Sequence, residues 1–127
     1  MDHPGGFGRG RLLGWVALSA LVVLQIYALY LAVPTAERQI PYVDKFVHMA
    51  LFATPAAVAA ALRMRWFIGA LVLHALVSEP LQAAVTRHRN EDVWDGVADL
   101  LGIAVGVAAV RQWRSDRPRL ESAGERG

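Results

Sequence analysis

Four long apolar runs, separated by short polar segments, constrain this chain more than any other feature. The runs occupy about residues 12–33, 46–62, 66–85 and 93–110 of the 127 residues. A helix needs roughly 20 apolar residues to cross the hydrocarbon core of a bilayer. Backbone N–H and C=O groups in that core must find partners within the protein, and an α-helix provides them locally. The sequence therefore predicts an all-α fold, a bundle of four transmembrane helices.

The residues outside these runs are mostly polar, and they divide the chain into three parts. We predict a disordered N-terminal tail over residues 1–11, a four-span membrane domain over residues 12–112 and a charged tail over residues 113–127. Hydrophobic residues make up 55% of the chain and are segregated into the runs, whereas a soluble bundle would carry a polar stripe along each helix. The first run is longer than the roughly 7–15 apolar residues of a signal peptide. We therefore favour an uncleaved span, with cleavage near Ala36 as the alternative.

The distribution of lysine and arginine predicts which helix ends face the cytoplasm. With four crossings, both termini and the middle loop share one side of the membrane. That side carries nine basic residues: Arg9, Arg11, Arg63, Arg65, Arg111, Arg114, Arg117, Arg119 and Arg126. The other side carries four: Arg38, Lys45, Arg87 and Arg89. Because basic residues accumulate in cytoplasmic segments, we predict a multi-pass protein of the cytoplasmic membrane with both termini in the cytoplasm.

The same distribution bears on partners. The formal net charge is +2, but the basic residues lie at the ends of the runs, where retention at the membrane surface explains them. We therefore expect the lipid bilayer as a partner and no nucleic acid. The chain has no cysteine, which excludes disulfides and cysteine metal ligands. The sequence does not indicate an oligomeric state.

Asp44 and His48, where the second run begins, form the first candidate pair for a functional site. Their spacing of four residues places both side chains on one helix face. The carboxylate can orient the imidazole ring and raise its basicity, as in a general base or a metal site. In the alternative interpretation, Asp44 caps the helix and His48 makes a local hydrogen bond. His74, alone in the middle of the third run, is interpreted as a histidine that bonds to a neighbouring helix.

Glu79 and Gln82 lie late in the third run, three residues apart. A carboxylate inside a membrane span needs a partner or loses its charge. Pro80 removes a backbone hydrogen bond, and a kink beside a buried acid can open a polar cavity. Two interpretations stay open: a functional acid, or a carboxylate that pairs with Arg89 or His48 to hold the bundle together.

Asp95 and Asp99 begin the fourth run, four residues apart, and Gly102 and Gly106 continue the same helix face. Asp95 suits a capping position in the first turn. Asp99 lies too deep for capping and needs a partner, for which we expect Arg89 or a bound cation. Small residues along one face predict close packing against another helix.

The order of these motifs resembles the VanZ-like family of small multi-span bacterial membrane proteins. The resemblance covers about residues 44–106 and rests on four motifs: Asp44-Lys45-Phe46-Val47-His48, Ser78-Glu79-Pro80-Leu81-Gln82, Arg89 followed by Asp95, and Asp99-Leu100-Leu101-Gly102 followed by Gly106. The family's usual Asn in the last motif is Asp99 here, which adds a negative charge. The resemblance implies a link to reduced susceptibility to glycopeptide antibiotics such as teicoplanin, and it implies no particular reaction.

The first hypothesis for function is a protein that acts at the outer membrane face on a lipid-linked or cell-wall anionic ligand. Its protonatable, candidate catalytic groups are Asp44, His48 and Glu79. Its candidate ligand-binding residues are Gln82, Arg87, Arg89, Asp95 and Asp99. The two arginines would hold the anion, because guanidinium groups suit phosphate and carboxylate.

The second hypothesis is a membrane enzyme that uses Mg²⁺ or Mn²⁺ for phosphoryl or acyl chemistry. The candidate metal ligands are Glu79, Asp95 and Asp99, because carboxylate oxygens suit these ions, and His48 would act as the base. The third hypothesis is a structural polar network without catalysis. The sequence leaves open whether the protein is an enzyme.

Overall fold

A computed structural model describes residues 6–31, 42–85 and 93–124 of the chain. These residues form α1 (Gly6–Ile26), which continues as a short π-helix (Tyr27–Leu31), α2 (Val43–Ala61), α3 (Arg65–Val85) and α4 (Val93–Gly124). Each of the four helices contains a stretch long and apolar enough to cross a membrane: Gly8–Leu31, Val43–Ala61, Arg65–Val85 and Val93–Arg117. The predicted all-α fold with four apolar helices of spanning length is confirmed, as a multi-pass membrane protein requires.

α2 begins earlier than the apolar run that predicted it. The run starts at residue 46, whereas the helix starts at Val43, so that Asp44 and Lys45 lie in its first turn. Its 19 residues give a length of about 28 Å at 1.5 Å per residue, close to the roughly 30 Å of the hydrocarbon core. α2 continues through Pro55, so the second run forms one continuous helix.

α4 continues beyond the apolar run, through residues that the sequence separates as a charged tail, to Gly124. Side chains four residues apart interact along this extension, which stabilises a helix. Gln112 Nε2 donates to an Asp116 oxygen at 3.0 Å, and the Arg117 guanidinium carbon lies 4.1 Å from the centre of the Trp113 ring. The apolar part of α4 is thus followed by a polar helical extension.

α2 is the central helix and packs against each of the other three. α2 and α4 run parallel, because the contacts between them keep the same order along both helices, from His48 with Asp99 to Ala61 with Arg114. α3 follows α2 after a short turn and runs back in the opposite direction. The beginning of α2, the end of α3 and the beginning of α4 therefore lie at the same end of the bundle.

Two glycines of α4 face the backbone of α2 at very short distance. A Cβ atom at Gly102 would overlap the carbonyl oxygen of Met49, and one at Gly106 would overlap the carbonyl oxygen of Ala53. Small residues four apart allow this approach between membrane helices, where van der Waals packing replaces the hydrophobic effect as the main attraction. The predicted packing role of these glycines is confirmed.

A Schellman motif ends α2 and leads the chain into α3. The Met64 N–H donates to the Ala59 carbonyl at 2.8 Å, as this motif requires. Arg63 has a φ angle of 59°, the left-handed conformation that usually belongs to glycine. Arg114 of α4 donates to the Ala61 carbonyl at 2.7 Å and satisfies one of the carbonyls that a helix C-terminus leaves free.

The interior of the bundle is small, and its outer surface is largely apolar. Buried side chains form one cluster that includes Leu29 and Phe52 and a second that includes Leu18 and Met64. Many large apolar side chains are exposed, among them Leu12, Leu13, Leu73, Leu101 and Val105. A continuous apolar surface is unfavourable in water, so the acyl chains of a bilayer are its natural surroundings.

Gly106→Ala is expected to destabilise the bundle although alanine favours helices. At an open helical position this exchange stabilises by about 0.5–1 kcal/mol, whereas overpacking costs about 1–3 kcal/mol. Gly69→Ala on α3 is the matched control, because no atom lies within 4 Å of its added Cβ. Thermal unfolding in detergent should give a lower melting temperature for Gly106→Ala only. A loss of the same size in both variants would contradict the close approach of α2 and α4.

Candidate functional site

Buried polar side chains gather at the end of the bundle where α2 begins, α3 ends and α4 begins. They are His48, Ser78, Gln82, Asp95 and Asp99. Six of the predicted site residues lie on these three segments: Asp44, His48, Glu79, Gln82, Asp95 and Asp99. The other two, Arg87 and Arg89, fall outside the described residues.

Asp99 is fully buried and links α4 to both α2 and α3. Its Oδ1 accepts a hydrogen bond from His48 Nδ1 at 3.0 Å, and its Oδ2 lies 3.1 Å from the Ser78 hydroxyl, which donates to it. The same hydroxyl lies 2.9 Å from the Ala75 carbonyl, and its single proton serves one acceptor at a time. In the described part of the chain the partners of Asp99 are thus a histidine and a serine, and the expected partner Arg89 lies outside that part.

The His48 ring is oriented by Asp99 and not, as its helix spacing suggests, by Asp44. An ionised carboxylate only accepts hydrogen bonds, so this contact places a proton on Nδ1, and in the neutral ring Nε2 carries the lone pair. Nε2 is buried and has no hydrogen-bond partner among the described residues. It lies 3.8 Å from Asp95 Oδ2, beyond hydrogen-bond length.

Lys45 places a positive charge beside this pair. Its Nζ lies 3.1 Å from Asp95 Oδ1, and the two side chains are 32% and 12% exposed. A partly hydrated ion pair of this kind stabilises a protein only modestly. The ion pair occupies Oδ1 of Asp95, so Oδ2 is the oxygen closer to His48.

The side chains that are able to share a metal ion differ from the predicted set of Glu79, Asp95 and Asp99. Both Asp99 oxygens already contact His48 and Ser78. Ligand atoms of Asp44, His48 and Asp95 instead lie within 4.8 Å of one another. Asp44 therefore does lie near the imidazole ring, as its spacing predicts.

Glu79 lies beside a groove between α3 and α4 with a volume of about 350 Å³. The residues that line it are mainly apolar and include Leu76, Glu79, Pro80, Gly96, Val97 and Leu100. The absent side chain of Gly96 helps to form the groove, since a Cβ there would lie 3.6 Å from Glu79 Cγ. Leu76 is 60% exposed, so the groove opens on the apolar outer surface. A groove does lie beside Glu79 and Pro80, but its lining is mainly apolar rather than polar, and α3 continues through this proline.

His74 contacts a neighbouring helix and lies apart from the site, as the sequence predicts. Its Nε2 lies 2.8 Å from the Tyr30 hydroxyl in the π-helix that follows α1. The Phe52 ring of α2 packs 5.4 Å from the imidazole, centre to centre. This histidine joins three helices and has a packing role.

The sequence assigns no role to three further polar residues: Lys45, Ser78 and Gln25. Lys45 and Ser78 stand within the recognised motifs, but only the fold brings them to Asp95 and Asp99. Gln25 of α1 is fully buried, and both its amide atoms lack a hydrogen-bond partner among the described residues. The sequence signal for Gln25 is that its side chain is a polar amide within an apolar run.

Asp99→Ala is expected to destabilise the protein by about 1–3 kcal/mol, because it leaves the buried His48 Nδ1 without its acceptor, whereas the Ser78 hydroxyl still has the Ala75 carbonyl. Asp99→Asn retains an acceptor oxygen and should lose much less stability. Asp116→Ala, on the polar extension of α4, is the control. Thermal unfolding in detergent should rank the three in this order. Equal stability of Asp99→Ala and Asp116→Ala would contradict a central role for Asp99.

Comparison with known proteins gives no further identification of the chain. No protein-family model, no curated protein and no solved structure matches it. The resemblance of residues 44–106 to the VanZ-like family stays a prediction from the order of the motifs. The geometry of the polar end of the bundle is therefore the basis on which the function is argued.

Proposed function

We propose that the protein binds a lipid-linked anionic ligand of the cell envelope at the outer face of the cytoplasmic membrane. One observation carries the proposal: an apolar groove that opens toward lipid lies next to a buried charged cluster at the same end of the bundle. An acyl or prenyl chain suits the groove, and an anionic headgroup suits the polar end. The resemblance to the VanZ-like family agrees with this proposal and links it to susceptibility to glycopeptide antibiotics such as teicoplanin.

The groove provides the apolar half of the proposed binding site. Leu76, Val97 and Leu100 line it with hydrocarbon, and burying a lipid chain against such side chains is favourable by about 0.8 kcal/mol per CH₂ group. Glu79 lies within the same lining. A chain in the groove would therefore bring its polar end close to the segment where α3 ends.

The polar half of the proposed site combines acids with cations near the membrane surface. Lys45, partly exposed beside Asp95, provides an ammonium group at the beginning of α2. The segment between the end of α3 and the beginning of α4 contains Arg87 and Arg89, whose guanidinium groups suit phosphate. We assign the headgroup of the ligand to these cations.

The proposed orientation follows from the uneven distribution of basic residues. With four crossings, the sequence assigns four lysines and arginines to the side of the membrane where α2 begins, and nine to the opposite side. The positive-inside rule then places the site at the outer face. Trp15 and Trp66 pack together, with ring centres 6.3 Å apart, at the opposite end, where aromatic residues suit the inner interface.

Reporter fusions test this orientation. A green fluorescent protein fused after Gly124 should fluoresce, because that end of α4 is proposed to be cytoplasmic. An alkaline phosphatase fused at the same position should be inactive, and one inserted after Arg38 should be active. The reverse pattern would overturn the assignment of the site to the outer face.

Filling the groove should abolish binding of the lipid chain while the protein still folds. At Gly96 a Cβ makes only ordinary contacts, at 3.6 Å and 3.9 Å, so the side chain of Gly96→Leu extends into the groove. The control is Gly69→Leu, at an exposed position with no atom near its Cβ. Native mass spectrometry with polyprenyl phosphate should show at least tenfold weaker binding to Gly96→Leu than to wild type and Gly69→Leu.

Two further comparisons separate the contribution of the lipid chain to binding from that of the headgroup. Neutral polyprenol should bind more weakly than polyprenyl phosphate, and Arg89→Gln should remove that difference. Expression of the same variants, scored for membrane abundance and teicoplanin susceptibility, should show loss of any protective effect in Gly96→Leu and Arg89→Gln but not in Gly69→Leu. If wild-type protein binds neither lipid, the polar network is structural and the proposed function is wrong.

A further inference from the structure

We propose that Asp44, His48 and Asp95 form a Zn²⁺ site at the end of the bundle where α2 begins. Their ligand atoms, two carboxylate oxygens and one imidazole nitrogen, lie within 4.8 Å of one another. Zn²⁺ binds such atoms at about 2.0–2.2 Å. The inference does not depend on the lipid-linked ligand, since the three residues would bind the ion without it.

His48 provides an observation that is independent of the acidic residues. Its side chain is 1% exposed, and its buried Nε2 has no hydrogen-bond partner among the described residues. A buried polar atom without a partner is unfavourable. Nε2 lies 3.8 Å from Asp95 Oδ2, in the group of ligand atoms that also includes Asp44, and a metal ion shared by that group would satisfy it.

The distances suit one shared ion. His48 Nε2 and Asp95 Oδ2 are 3.8 Å apart, and two ligand atoms about 2.1 Å from a tetrahedral ion lie about 3.4 Å from each other. Asp44 is exposed, so its side chain is able to rotate until its oxygen reaches the ion. The ion needs little movement of the two buried ligands.

Asp99 supplies the support that a metal-binding histidine usually has. Its Oδ1 accepts the Nδ1 hydrogen bond of His48 at 3.0 Å, which directs the Nε2 lone pair away from Asp99. Carboxylate–histidine–metal arrangements of this kind fix the ring and increase its basicity. Asp99 is therefore a positioning residue and not a ligand.

The formal charges of Lys45 and the nearby carboxylates also favour a divalent cation. Asp44, Asp95 and Asp99 carry three formal negative charges, and Lys45 carries one positive charge. Among these four described residues the formal excess is two negative charges, which one divalent cation would balance. Lys45 contacts Asp95 through Oδ1 and leaves Oδ2 for the ion.

The ligand set favours Zn²⁺ over the Mg²⁺ and Mn²⁺ expected from carboxylates alone. An imidazole nitrogen suits Zn²⁺, whereas Mg²⁺ prefers an octahedral shell of oxygens. Three protein ligands leave the fourth tetrahedral position open, as in catalytic rather than structural zinc sites. That position lies at the exposed side of Asp44, where water or an anionic group would reach it.

Metal titration tests the site directly. The full chain is purified in detergent without a histidine tag, stripped with a chelator and titrated with Zn²⁺ by calorimetry, with Co²⁺ absorption as a spectroscopic probe. We expect one Zn²⁺ per chain and no measurable binding of Mg²⁺ at the same concentrations. Absence of Zn²⁺ binding, or equal affinity for Mg²⁺, would overturn the proposal.

Variants identify the ligands. Asp44→Asn should bind Zn²⁺ at least tenfold more weakly, and because Asp44 is exposed this variant should fold normally. His48→Gln should abolish the Co²⁺ absorption that a nitrogen ligand produces. His3→Gln is the control, since His3 precedes α1, whose beginning lies at the opposite end of the bundle. Unchanged Zn²⁺ affinity in Asp44→Asn would contradict this site.

Asp99→Asn separates the positioning role from a structural one. The variant keeps an acceptor for His48 Nδ1 but lacks the charge, so the Zn²⁺ affinity should fall by about 10–100-fold. The melting temperature of the metal-free protein should change little. A lower melting temperature with unchanged Zn²⁺ affinity would assign Asp99 to the fold alone and overturn its positioning role.

Discussion

The close approach of α2 and α4 is the contact on which the rest of the structure depends. Gly102 and Gly106 have no side chains, so the backbone of α4 reaches the Met49 and Ala53 carbonyls of α2. Met49 directly follows His48, and Gly102 lies one turn after Asp99. The approach that the glycines permit therefore also brings His48 within hydrogen-bond distance of its acceptor. Larger residues at these two positions would separate the helices and break that pair.

The hydrogen bond between His48 and Asp99 then organises the polar end of the bundle. In surroundings of low dielectric constant a buried acid or imidazole without partners is strongly unfavourable, so each such group needs the others in place. Asp99 reaches α3 through Ser78, and Asp95 extends the cluster to Lys45 at the exposed rim. The result is a buried polar centre that is partly exposed only at its rim, at Lys45. The groove beside Glu79 lies next to it and is lined mainly by apolar residues.

The sequence predicts the contacts within helices better than those between them. Asp44 is four residues from His48, and the structure does place it near the ring. The residue that orients the ring, however, is Asp99, 51 residues further along the chain. Helix periodicity gives the face on which a side chain lies but not the residue opposite it. For the same reason the sequence assigned Asp99 to a metal set, whereas the fold commits both its oxygens to other side chains.

By itself the sequence determined the number and type of the elements, because four long apolar runs have no soluble alternative and form helices in lipid. It also determined which residues are costly to bury, and the spacing of Gly102 and Gly106 marked the face on which α4 packs. Only the tertiary structure decided the pairings among these residues, the inward position of Gln25, and the groove between α3 and α4. These depend on how far each helix is rotated and shifted against its neighbours. Close packing between surfaces sets those quantities, and a pattern along one chain does not contain them.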